Sequence, residues 1–161
     1  GLLTTTALYE RVLATPLETL DVAAAVARWE PLEEQISEVN RMFSEAGPRA
    51  FATDQVSKKY ITPAELEHQL TLLKSIWPGL KQRLSAQIIP YHQSRKNLMA
   101  AGAPVDPEQI GITRQRLRES FYKAQKLRTR FTVLDLAVRT GYLDTWVDEL
   151  FGENGVLKSI D

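Results

Sequence analysis

Two Thr-Pro-x-Glu tetrads, Thr15-Pro16-Leu17-Glu18 and Thr62-Pro63-Ala64-Glu65, punctuate a chain whose apolar residues fall at helical spacing. In each, the threonine is placed to cap. The proline sits where a first-turn N–H has no partner anyway, and the glutamate completes a capping box. Asp106-Pro107-Glu108 is a variant of the same start. Pro31 opens another helix, with Glu33 and Glu34 in the first turn, where carboxylates favour the positive end of the helix dipole. Stops are marked too. Gly47-Pro48 is expected to end the helix begun near Pro31, and Trp77-Pro78-Gly79 to break the one begun near Pro63. Gly102 and Gly141 stand where a left-handed C-terminal residue is wanted.

Between these marks the spacing is helical. Leu66, Leu70, Leu73 and Trp77 share one face, as do Ile36, Val39 and Phe43. No sustained alternation and no Asn-Gly hairpin signal occurs. The pattern predicts helices over about 2–14, 16–29, 31–46, 48–60, 63–77, 79–101 (with a break near Pro90), 113–140 and 144–151. The expected fold class is all-α, a multi-helix bundle with residues 1–161 as a single helical domain. Residues 104–111 read as an ordered loop, and the last ten residues as a fraying tail. The tetrads share cap chemistry and do not mark a repeat.

Composition narrows the chemistry. Without cysteine there are no disulfides, thiolate metal sites or cysteine nucleophiles. The formal net charge is zero, so no global field draws the chain to nucleic acid or an anionic membrane. No apolar run approaches the ~20 residues that cross a bilayer. The N-terminus lacks the basic region and cleavage site of a signal peptide, and a cytoplasmic location is expected. No glycine-rich phosphate loop is present, and there are no strands on which to build a dinucleotide fold. Thr113, after Gly111-Ile112, reads as a helix cap.

Three clusters bear on function. His68 has Glu65 three residues before it, but with no second matching pair it reads as a solvated histidine, as does His92. The segment 114–130 holds Arg114, Arg116, Arg118, Lys123, Lys126, Arg128 and Arg130 against a single acid, Glu119. A solvated face is the favoured reading over phosphate-backbone binding, since no aromatic side chains interleave on the basic side. The first 56 residues are more acidic, so the balance lies within the fold or across a dimer. Finally, if 117–138 were one continuous helix, Arg128 and Asp135 would fall inside the apolar sector of Leu117, Phe121, Ala124, Phe131 and Leu134. Charges there need partners. Two readings stay open: a structural ion pair with other helices, or a cleft in which the planar fork of Arg128 holds a phosphate or carboxylate.

The stretch Ala100 to Asp144 resembles the C-terminal region of bacterial sn-glycerol-1-phosphate dehydrogenases, members of the iron-type alcohol dehydrogenase and dehydroquinate synthase-like superfamily. Its most specific parts are Ala101-Gly102-Ala103-Pro104, Ile110-Gly111-Ile112 and Arg130-Phe131-Thr132-Val133-Leu134-Asp135. Residues 1–13 resemble the helix that follows the family's last metal-binding histidine, and residues 15–60 are similar in style to its inserted helices.

The resemblance implies the helical C-terminal domain of a dehydroquinate synthase-like fold. It implies an enzyme that interconverts dihydroxyacetone phosphate and sn-glycerol 1-phosphate with NADH or NADPH and a divalent metal (zinc, nickel or iron). A nucleotide-binding domain N-terminal to these helices would be the partner, with a homodimer as a further expectation. No family metal ligand or cofactor-binding residue carries over onto this sequence, His68 and His92 included. Arg128 and Asp135 are the electrostatic candidates, and the chain alone is expected to be inactive. Alternatives are part of a glycerol or other polyol dehydrogenase, and a stand-alone helical interaction module.

Overall fold

Thr62 starts the longest helix as its tetrad demands. Its hydroxyl accepts from Glu65 N, while the Glu65 carboxylate accepts from Thr62 N at 2.7 Å. The fold is seen in a computed structural model that describes residues 1–158. The described residues form an all-α bundle: α1 (Leu2–Ala14), α2 (Val22–Ala27), α3 (Leu32–Met42), α4 (Ala46–Lys59), α5 (Pro63–Gln87), α6 (Tyr91–Ala100), α7 (Arg114–Gln125), α8 (Val133–Thr140) and α9 (Leu143–Phe151). Short 3-10 turns span Leu17–Thr19 and Pro107–Ile110. No helix among the described residues is long and apolar enough to cross a membrane.

One core gathers Leu3, Ala7, Leu8 and Val12 of α1 with Trp77, Phe121, Ala137, Trp146 and Leu150. The α1 helix lies at its centre, against α5, α6, α8 and α9. Each large buried apolar side chain contributes about 1.5–3 kcal/mol, so this cluster dominates the stability. A second cluster joins Leu20 and Ala25 to Leu66 and Leu70. The third, Val39, Ala52 and Val56, closes the α3–α4 hairpin.

Several expected boundaries move, each for a physical reason. The α5 helix runs through Pro78 instead of breaking at 77–79. Trp77 is fully buried, and Leu73, Leu80 and Leu84 pack on the same core, so packing on both sides of the proline outweighs its missing hydrogen bond. The break expected near Pro90 is present, between α5 and α6. Gly47-Pro48 does not end α3; both lie in the first turn of α4, where Pro48 has no N–H to leave unpaired. The α3–α4 turn is tied instead by Arg49, which donates to Phe43 O at 2.9 Å and to Ser44 O at 2.6 Å.

The helix expected over 16–29 divides into a 3-10 turn and α2, which Asp21 caps through Ala24 N. Thr15 does not cap it. Its hydroxyl donates to Arg11 O at 2.8 Å and accepts from Trp146 Nε1 at 3.0 Å, closing α1 onto α9. The expected 113–140 helix is two helices with a non-helical span at 126–132, so Arg128 and Asp135 share no helix face. Thr113 caps α7 through Arg116 N. Gly102 and Gly141 adopt the left-handed conformation (φ 70 and 76) expected of them. The tail does not fray through residue 158. Leu157 is buried, its N–H donates to Leu150 O at 2.9 Å, and Tyr91 Oη donates to Val156 O. The rest of the expected tail, 159–161, lies outside the described residues.

Candidate functional site

The residues between α7 and α8 build the site. A span from 126 to 132 would swing freely if held only by its helices, but both its ends are fastened. At one end Lys126, 8% exposed, pairs with Glu38 of α3 at 2.6 Å, and Leu127 packs on the Val39–Ala52–Val56 cluster. At the other, Asp135 Oδ2 accepts from Thr132 N at 2.8 Å and from Thr132 Oγ1 at 2.9 Å.

Asp135 is 3% exposed, and its second oxygen is also engaged. Oδ1 accepts from Lys59 Nζ of α4 at 2.7 Å and from Gln125 Nε2 at 3.1 Å. Lys59 also donates to the Gln125 carbonyl, and Arg139 donates to the Lys59 carbonyl. Burial of the ammonium pulls Lys59 below the ordinary lysine range; Asp135 opposes this, while Lys126 and Arg139 add to it. Burial likewise lowers Arg139. Such a network holds α4, α7 and α8 in one arrangement, because removing any member strands a buried charge or dipole. Of the two readings for Asp135, the structure places it in an ion pair with another helix.

Arg128 has the other placement. It is exposed, and it lines a cleft of about 670 Å³ between the start of α1 and the inner face of α7. Thr4, Thr5 and Tyr9 form one wall, Ser120 and Phe121 another, and Arg128 with Phe131 to Leu134 the third. Ligand clefts typically measure about 300–1,000 Å³. Among the described residues lining it, Arg128 is the one formally charged side chain; Thr4, Thr5, Ser120 and Thr132 also line it, with the hydroxyls of Thr4, Ser120 and Thr132 donating to Gly1 O, Leu117 O and Asp135 Oδ2. The planar cation of an arginine suits a phosphate or carboxylate. Among the described residues no carboxylate or imidazole lines the cleft to move a proton. Sequence reasoning singled out Arg128 on a false helical geometry. It missed Lys59 altogether, because nothing near position 59 marks a lysine whose partner is 76 residues away.

The remaining candidates separate. His68 and His92 are exposed and on different helices. Among the described residues no three His, Cys, Asp or Glu side chains gather as a metal would require, so the metal implied by the resemblance finds no donor set among them. The basic segment is largely neutralised within the fold. Arg114 pairs with Asp106 and Glu108, Arg118 with Asp148, Lys123 with Glu119, and Lys126 with Glu38. A second opening, nearly all apolar, runs beside α5, where Leu72, Ile76 and Phe131 stand exposed along Trp77 and Leu136.

No family model matches the chain, and neither a curated protein nor a solved structure does.

Proposed function

We propose that this chain is the helical C-terminal part of an NAD(P)-dependent, metal-dependent oxidoreductase like sn-glycerol-1-phosphate dehydrogenase, and that its cleft holds the phosphate of the substrate. One observation carries the reading. Residues 1–13, which resemble the helix after the family's last metal-binding histidine, and Phe131 to Leu134, inside one of the stretches most specific to the family, lie far apart in sequence and both contribute lining residues to the same cleft. In the family the first of these follows the last metal-binding histidine. On that resemblance the start of α1 would border the substrate, with Arg128 across the cleft.

The role of these residues is binding and exclusion of water. Arg128 offers paired donors to a phosphate dianion. Leu117, Phe121 and Leu134 supply apolar wall, which lowers the local dielectric around that contact. The nucleotide cofactor would be held by the domain N-terminal to these helices.

The test joins the chain to the in-frame coding sequence upstream of Gly1 and follows NADH and NADPH oxidation. Turnover of dihydroxyacetone phosphate well above that of unphosphorylated dihydroxyacetone is expected. Arg128→Ala should raise KM for the phosphorylated substrate by about 10- to 100-fold, the loss of one charge-assisted contact of ~1.5–3 kcal/mol, with an unchanged melting temperature. Equal turnover of both ketones would favour a polyol dehydrogenase. No oxidoreductase activity would leave the interaction module, which the exposed apolar groove beside α5 favours.

A further inference from the structure

We infer that the outer face of α5 is a two-fold interface on which a second copy of this chain docks antiparallel. Three of the chain's exposed large apolar side chains, Leu72 (52%), Ile76 (47%) and Phe131 (59%), meet at one groove. Isolated exposed apolar residues are ordinary, but a convergent set marks an interaction surface. What identifies the occupant is the order of charges along the helix.

Glu65, Leu72, Ile76 and Arg83 all stand exposed on α5. At 100° per residue they fall within a sector of about 40°. Their order, acid–apolar–apolar–base, has the same spacing read from either end. A two-fold axis near position 74 would set Leu72 of one copy against Ile76 of the other. It would set Glu65 against Arg83 at both ends, ~27 Å apart at 1.5 Å per residue. An isologous interface requires this self-complementarity, and a partner of unrelated sequence would not. Neither Glu65 nor Arg83 forms an ion pair among the described residues. Glu65 gives one carboxylate oxygen to the cap of α5, which leaves the other to accept. Gly79 lies on the same side, and a Cβ there would meet nothing, so the second backbone can approach closely. A parallel pairing would bring like charges together, and the stripe therefore also fixes the orientation.

Phe131 lines both this groove and the Arg128 cleft, but association of the chain can be measured with no ligand in the cleft. Sedimentation of the full chain across micromolar concentrations should show a species of twice 18.2 kDa. Ile76→Glu should be monomeric at the same concentrations with unaltered helical circular dichroism, its dissociation constant raised at least ~30-fold. Arg83→Glu, which sets carboxylate against Glu65, should weaken the dimer by about 10-fold in low salt and less in high salt. Because the chain has no cysteine, Leu72→Cys/Ile76→Cys should oxidise to a covalent dimer. Glu67→Cys, on the opposite face of α5, should not. A chain that stays monomeric throughout, a dimer that survives both Ile76→Glu and Arg83→Glu, or equal cross-linking of the two cysteine variants would each overturn the proposal. The first of these outcomes would assign the groove to another segment or another protein.

Discussion

Asp135 accepts four hydrogen bonds while 3% exposed. One oxygen closes the first turn of α8 and the other holds the Lys59 ammonium. Asp135→Ala therefore strands a buried cation and removes a cap, and urea denaturation should show a loss of about 3–5 kcal/mol. Replacing both partners, Lys59→Met with Asp135→Leu, should cost much less than the two single changes added together. Additivity in that cycle would mean that the pair is not coupled. Tyr122 gives a second measurable case. Burial, followed by the neighbouring Asp144 carboxylate, pushes its phenol up to about 12 from 10.0. The folded state thus keeps this proton after the unfolded chain has lost it. The associated stability is complete below pH 10 and is lost as pH rises from 10 through 12. Tyr122→Phe should lose less of its urea midpoint than the parent between about pH 9 and about pH 11; an identical loss would show that the phenol does not titrate as stated.

At the scale of elements, what was legible in the sequence is what local chemistry decides. The Thr62 box, the Thr113 cap and the left-handed glycines at 102 and 141 each depend on partners within a few residues, and each is where the sequence puts it. Where a distant partner competes, local reading fails. Thr15 answers to Trp146, 131 residues away, and Pro78 is overruled by the burial of Trp77. The division of 113–140 into α7 and α8 belongs to the same class, because Lys126 and Leu127 are drawn to α3–α4 and away from the helix they would continue. The site followed from that division, so the cleft could not be read from periodicity while Arg128 could be suspected from it. The α3–α4 hairpin itself has an expected behaviour. Its helices pack mainly on each other around a small separate cluster. Amide exchange in Val39, Ala52 and Val56 should report an opening free energy below that of Val12 and Val147 in the main core. Equal protection in both would show one cooperative unit instead.

For the molecule as a whole, zero formal charge conceals a strongly patterned one, in which a basic α7 is matched by acids from α9 and the 107–110 turn, and Lys126 just after it by Glu38 of α3. Matched in this way, most of its cations are spoken for before any ligand arrives. Arg128 is the exception inside the cleft, and its backbone is pinned on either side, at Lys126 and at Thr132. That double fastening has a consequence for how tightly an anion can be held. Ordering a loose loop costs roughly 1–2 kcal/mol of conformational entropy for every residue fixed. Here that loss falls at folding, so an anion bound as proposed would have to still little more than the rotamers of one arginine, at most about 2 kcal/mol.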